Sequence, residues 1–208
     1  SQESYGDFAP DTLHRFAQIE SSYGQDSGAY KMGSDFMGTF QIGSGEYTEF
    51  GPTTGSVLDT TSSGIATLNY AKKNIANKGS WKDYGMDKRL EELGISKGEA
   101  AYMTHQQGRS GFIQLITGLT GGEGDIKKYG GKFAAGGTIG DKRKHKLLEN
   151  ISAEQDASGK DIDFSAMDTK ELASNWLRQT RTKWSKAGEH VEGYRKEFGE
   201  EVSSDFIG

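Results

Sequence analysis

Hydrophobic side chains in this 208-residue chain recur at helical spacing far more often than they alternate. Leu13, Phe16, Ala17 and Glu20 fall at i, i+3, i+4 and i+7, which is one face of a helix, and Tyr23 and Gly24 continue the stripe. Asp11, just after Pro10, is placed to cap that helix. A second helical stretch covers 44–50 and stops at Gly51-Pro52. A third covers 59–77, with Ile65, Leu68 and Ile75 facing inward and Lys72, Lys73 and Lys78 loading its C-terminal half, as the helix dipole favours. Residues 86–93 form a short helix closed by Gly94, after a linker holding Trp81 and Tyr84. Ser96 and Glu99 make a capping box that opens a helix running to Gly108. On it Tyr102, His105 and Gln106 share a side. Residues 112–119 read as a buried helix with Phe112, Ile113, Leu115 and Ile116 as its core.

Alternation appears once. In GSDFMGTFQIG (33–43), Gly38, Phe40 and Ile42 alternate with Met37, Thr39 and Gln41, a short extended piece in a glycine-bracketed loop. Glycines around a lone Gln indicate either an ordinary β-like turn, which the spacing alone favours, or backbone brought close to a ligand or to another chain segment. From residue 119 the pattern weakens into a glycine-rich and polar stretch, interrupted by a basic helix over 142–151. Asp168 with Glu171 then caps a late helix on which Leu172, Asn175, Trp176, Gln179 and Lys183 fall near one stripe, with Trp184 close by. A charged helix over 188–198 follows, with Val191, Tyr194 and Phe198 inward. Residues 1–10 read as a loose lead-in and the last eight as a tail. The predicted class is mainly α with a very small β-like segment, organised as a core over 1–118, an insertion over 119–165 and C-terminal helices over 166–208 that pack on the core.

Composition narrows this further. Thirty glycines and two prolines suit short helices with glycine-stopped turns. The formal charge of −5 with dispersed basic residues argues against a nucleic-acid partner, and the run DKRKHK (141–146) reads as a solvated helix face. There is no cysteine, hence no disulfide. No HExxH or DxDxDG pattern is present, so neither a metal site nor a cofactor is expected, and no nucleophile elbow for a Ser/His hydrolase is visible. No window approaches the ~20 apolar residues of a membrane span. The start at Ser1, without a visible signal peptide, reads as a chain processed or excised from something longer.

Glu20 is the residue with the sharpest chemical implication. A carboxyl group emerging from an apolar stripe resists ionisation, as a general acid working near neutral pH requires; an exposed Glu on a helix shoulder, or one tied to a cation, is the alternative. Three pieces then follow in order: IESSYG with Glu20-Ser21, the loop Gly38-Thr39-Phe40-Gln41-Ile42, and a later helix with Ala101-Tyr102. That order resembles the lysozyme-like lytic transglycosylases, particularly those carried by bacteriophage particles, over roughly residues 11–118. The resemblance implies a lysozyme-like α+β fold with helices around a substrate groove, in which Glu20 is the catalytic acid and base. Ser21, Gln41, Phe40 and Tyr102 would contact or position the saccharide. The sequence departs from the family at Thr39-Phe40, where Leu-Met is usual, and at Met103, where an Asn usually follows the Tyr; His105 or Gln106 is the candidate replacement. Tyr23, Tyr47 and Trp81 are further candidates for stacking along the groove. The implied partner is the peptidoglycan glycan strand, together with other virion or secretion-apparatus proteins, and the implied place of action is extracytoplasmic or virion-associated, at the bacterial cell wall.

In such an enzyme a lone acid suffices, because the substrate's N-acetyl group assists at the anomeric carbon and a 1,6-anhydro ring closes. A hydrolysing muramidase would instead need a second carboxylate ~6.5–9.5 Å or ~5–5.5 Å away; Asp26, Asp35, Glu46 and Glu49 lie in the right part of the chain. A chitinase- or chitosanase-like activity stands further back. A third reading is a non-catalytic structural module of a virion or secretion apparatus that keeps a lysozyme-like shape.

Overall fold

The computed structural model describes residues 8–9, 11–22, 36–121 and 138–198, with side chains over 143–193 in the last stretch. Tyr23, Gly24, Asp26, Asp35, residues 122–137, the side chains of Tyr194 and Phe198, and the tail lie outside the described residues, as do the expectations that fall on them. The described chain is mainly helical, with nine α-helices and one two-stranded antiparallel sheet among these residues. It clusters into two compact units, Ser1–Lys73 with Lys183–Gly208, and Asn74–Thr182.

The first unit holds α1 (Thr12–Ser21), β1 (Phe36–Met37), β2 (Ile42–Gly43), α2 (Ser44–Phe50) and most of α3 (Thr60–Ile75). Phe8, expected in a loose lead-in, is buried here. Of the residues predicted to face inward on α3, Leu68 is half-buried and Ile75 packs against the hydrophobic core, but Ile65 does not turn in. Ile65 is 43% exposed, while Ser62, Ser63, Gly64, Ala66, Thr67 and Ala71 are buried. Small side chains let a neighbouring element approach closely, so packing geometry rather than hydrophobicity chose this face.

The second unit is built on α4 (Ser80–Asp83), α5 (Met86–Glu92), α6 (Lys97–Gln107), α7 (Arg109–Thr120) and α8 (Thr138–Asn150), with a 3₁₀ turn at Phe164–Ala166. Its core gathers Met86, Met103, Phe112, Ile113, Leu147 and Trp176 around Trp81. Trp81, expected in a linker, sits on α4 with its indole N–H donating to Asp87 at 2.7 Å. The capping box at Ser96 and Glu99 forms as predicted, and so does the one at Asp168 and Glu171.

The last helix, α9 (Thr169–Phe198), is continuous, where the sequence suggested two. Its buried positions run Leu172, Ala173, Trp176, Gln179, Thr180, Trp184, Ala187 and Val191. Asn175 and Lys183, placed on the predicted stripe, are half-buried. Gly188 does not break the helix; a Cβ there would lie 2.5 Å from the Arg15 guanidinium, so its smallness serves side-chain packing.

Candidate functional site

The helix carrying Glu20 is clamped at both ends within the first unit. Near its start, Asp11 accepts from Arg15 Nε at 2.8 Å instead of capping the backbone. The same guanidinium donates to the Trp184 carbonyl at 3.1 Å and lies over the Trp184 ring, which Phe16 meets edge-on. At the far end Ser21 Oγ donates to the Thr39 carbonyl at 2.7 Å, bridging eighteen residues of chain. The helix stops at Ser22 in the left-handed region (φ 49°, ψ 48°), whose N–H returns to Ala17 and Gln18.

These contacts rotate the stripe read from sequence. Phe16 and Ala17 are buried as expected, but Thr12, His14 and Ser21 are buried with them, while Leu13 and Glu20 are half-buried. The cause is the Ser21 hydrogen bond to backbone, which turns a small polar residue inward where periodicity favoured position 20. The Glu20 carboxylate takes part in none of the ion pairs or side-chain hydrogen bonds among the described residues. It is therefore available at the surface edge of the helix, without the full burial the sequence suggested.

The alternating segment is a tight hairpin. Phe36 pairs with Gly43 and Met37 with Ile42, and Gly38–Gln41 form the turn. The Gly38 carbonyl accepts twice from Gln41, from its backbone N–H at 3.1 Å and from its side-chain Nε2 at 2.8 Å. Gly38 has φ +79°, and a Cβ would sit 2.5 Å from the Val57 carbonyl oxygen. The close approach anticipated for this glycine is thus to another chain segment. Thr39, expected on the opposite side from Phe40, is also buried, and its hydroxyl meets that of Thr60 at 3.2 Å. Phe40 is 2% exposed, its ring against Gly64, where a Cβ would stand 3.2 Å away. That burial leaves no face for stacking on a sugar, so Phe40 supports the turn from below; Trp81 is excluded from stacking on the same ground.

Among the described residues, Ser22 and Gln41 are the two non-glycine positions with positive φ. Both flank the contact between Ser21 and Thr39. Such conformations cost roughly 1–2 kcal/mol each and persist where the surroundings impose them, often at functional sites.

In the second unit Tyr102 is buried, and Gln106 Nε2 donates to its hydroxyl at 2.8 Å. Gln106 Oε1 in turn accepts from the Trp176 indole N–H at 3.2 Å. The shared helix side of Tyr102 and Gln106 is thus realised, and Trp176 joins them, a partner that periodicity alone did not indicate. His105 on the same helix is half-buried. Met103, next to Tyr102, is fully buried in the core and offers no polar contact. Of the second-carboxylate candidates, Glu49 is paired with Lys73 at 2.6 Å and Glu46 is half-buried on α2.

Burial holds the Arg109 and Arg143 guanidinium groups below the ordinary arginine range. Asp59, just ahead of α3, is lowered by hydrogen bonds from the side chain and then the backbone of Ser62. Among the described residues there is no group of three or more metal-ligating side chains, and no helix is long and apolar enough to cross a membrane. No protein-family model, curated protein or solved structure matches this chain, and what its site can do follows from its own residues.

Proposed function

We propose that this protein is a lysozyme-like lytic transglycosylase that cleaves the β-1,4 bond between MurNAc and GlcNAc in peptidoglycan, with Glu20 as the single acid and base. The observation that carries the reading is the strained pair. Among the described residues, two non-glycine positions are left-handed, Ser22 and Gln41, and they flank the Ser21–Thr39 contact immediately beside a half-buried Glu20. Strain of that kind, concentrated at a helix end and a facing turn, suits preorganisation of a reacting group.

The chemistry needs few parts. Glu20 delivers a proton to the glycosidic oxygen as the sugar becomes oxocarbenium-like. A glycan lying over the helix end covers the exposed part of the carboxyl group and shields the proton transfer from bulk water. The N-acetyl carbonyl oxygen of the substrate attacks the anomeric carbon while the leaving hydroxyl departs with the proton. The carboxylate then takes the proton of the 6-hydroxyl, whose oxygen attacks the anomeric carbon, breaks its bond to the acetamido oxygen and closes the 1,6-anhydro ring, leaving the N-acetyl group on C2. Ser21 fixes Glu20's turn of helix and Gln41 presents the hairpin's polar edge. The setting would be local cell-wall penetration by a phage particle.

Glu20→Gln should abolish release of fragments from purified sacculi while leaving the unfolding midpoint unchanged or raised. Full activity of that variant refutes the role. Mass spectrometry of the wild-type digest fixes the reaction: products one water lighter, without a new reducing end, signify transglycosylation. Reducing muramic acid ends would replace it with hydrolysis, for which Glu46 becomes the next residue to substitute.

A further inference from the structure

We infer that Thr60, at the first turn of α3, is a positioning residue for the Glu20 end of α1, acting through the Gly38–Gln41 turn. The inference rests on the assignment of Glu20 as the acid. Three contacts fasten that turn to the segment from Val57 to Gly64. The Thr39 hydroxyl meets Thr60 Oγ1 at 3.2 Å. Phe40 lies on Gly64, and Gly38 is pressed against the Val57 carbonyl. A fourth contact, Ser21 Oγ to the Thr39 carbonyl at 2.7 Å, passes the turn's position to the helix end one residue after Glu20.

Thr39 serves both links. Its carbonyl holds Ser21 and its side chain holds Thr60, so a displacement at Thr60 reaches Ser21 through a single residue. Thr60 is itself set by a well-capped helix start: Asp59 accepts the Ser62 N–H on its carboxylate at 2.8 Å and the Ser63 N–H on its carbonyl at 2.9 Å. Thr39-Phe40 is also where this chain departs from the usual Leu-Met of the family it resembles. A polar tether through Thr39 and a ring seated on a glycine through Phe40 bind the turn to α3 in a direction as well as at a distance.

The test exploits an asymmetry of hydrogen bonds. Thr39 is buried and Thr60 half-buried, and removing one partner of such a pair costs more than replacing both with apolar groups of the same shape. Thr60→Val should therefore lower both stability and activity, Thr60→Ser should restore both, and the double variant Thr39→Val/Thr60→Val should restore stability alone. On soluble uncrosslinked glycan strands, kcat should fall ~10-fold in Thr60→Val and in the double variant, with KM within ~2-fold, because a sub-ångström misplacement of a reacting group costs rate rather than binding. Gly64→Ala, which pushes the Phe40 ring without removing a hydrogen bond, should lower kcat in the same way. Recovery of kcat together with stability in the double variant overturns the proposal, since mere packing would then explain the single variant. Amide hydrogen exchange at Ser21 and Ser22 provides a readout independent of activity: it should quicken several-fold in Thr60→Val and return in Thr60→Ser. If wild-type protein releases no glycan fragments, the Glu20 assignment fails; exchange unchanged by Thr60→Val sinks the mechanical link itself.

Discussion

Gly38→Ala separates two costs that usually arrive together. At Gly38 an added Cβ meets both a left-handed backbone (φ +79°) and the Val57 carbonyl oxygen at 2.5 Å. Gly85 has a similar backbone (φ +60°), but nothing within 4 Å of an added Cβ. Gly85→Ala should therefore cost only the conformational penalty, ~1 kcal/mol. Gly38→Ala should cost that plus displacement of a backbone oxygen, ~1–3 kcal/mol for overpacking, for a total of ~2–4 kcal/mol. The clash cannot be relieved by a side-chain rotation, because the atom struck is main chain, so the turn itself must move. Urea unfolding of both variants measures the difference, and an unchanged slope shows that the same surface is exposed in each. Activity should divide more sharply than stability: Gly38→Ala shifts the carbonyl that holds Ser21 and should lose most glycan cleavage, while Gly85→Ala should retain it. Equal destabilisation of the two variants would refute the claim that Gly38 is fixed by contact rather than by φ alone.

Ser22→Gly should stabilise the fold by ~0.5–1 kcal/mol, since glycine occupies a left-handed helix stop without a Cβ penalty, and should cut activity if the strained stop helps hold Glu20; melting curves and sacculus turbidity report the two effects. Arg109 donates to the carbonyls of Asn74, Ala76 and Lys78 and lies over the Trp81 ring. Arg109→Ala should cost ~2–4 kcal/mol and Arg109→Lys about half of that, because one ammonium cannot span three carbonyls; a lysine variant as stable as wild type would show that charge alone caps α3. Glu154 is held below its ordinary value of 4.5, first by the hydrogen bond from Arg178. A lowered carboxylate contributes stability above its unfolded value and loses it as pH falls through the folded one. The gap between wild type and Glu154→Gln should thus be largest near neutral pH and close below about pH 4.5. Since both side chains are substantially exposed, that gap should not exceed ~1 kcal/mol.

Capping signals were the most legible part of the fold. Ser96 with Glu99, Asp168 with Glu171, and Gly51 after α2 act locally, and a local hydrogen bond can be read from a local pattern. Burial was legible where a stripe was strongly apolar, as at Phe112, Ile113, Leu115 and Ile116. It failed on α3, where the inward face is made of serine, glycine and alanine and the isoleucine at 65 points out. Hydropathy does not report how close a neighbour comes, and that closeness chose the face. The join of α9 was missed for a related reason: Gly188 looks like punctuation until Arg15 is seen packed over it.

The site shows the same division between local and distant causes. Tyr102 and Gln106, four residues apart on one helix, were placed together correctly because the spacing alone brings them into contact. Trp176 completes their chain from seventy residues away, and no periodicity could announce it. Glu20 was displaced from the centre of its stripe by one long-range bond, from Ser21 to Thr39. That displacement makes the proposed chemistry easier to reach. A carboxylate at the centre of the buried face would be sealed from a polymeric glycan, whereas one at the edge can be covered by the substrate it acts on. The desolvation an acid requires then depends on binding, so activity should respond to glycan length more through kcat than through KM, as remote binding energy is spent at the reacting bond. Chains of increasing saccharide number, assayed at saturation, would show kcat rising until the helix end is covered; a kcat independent of length would mean the acid is set without the substrate's help.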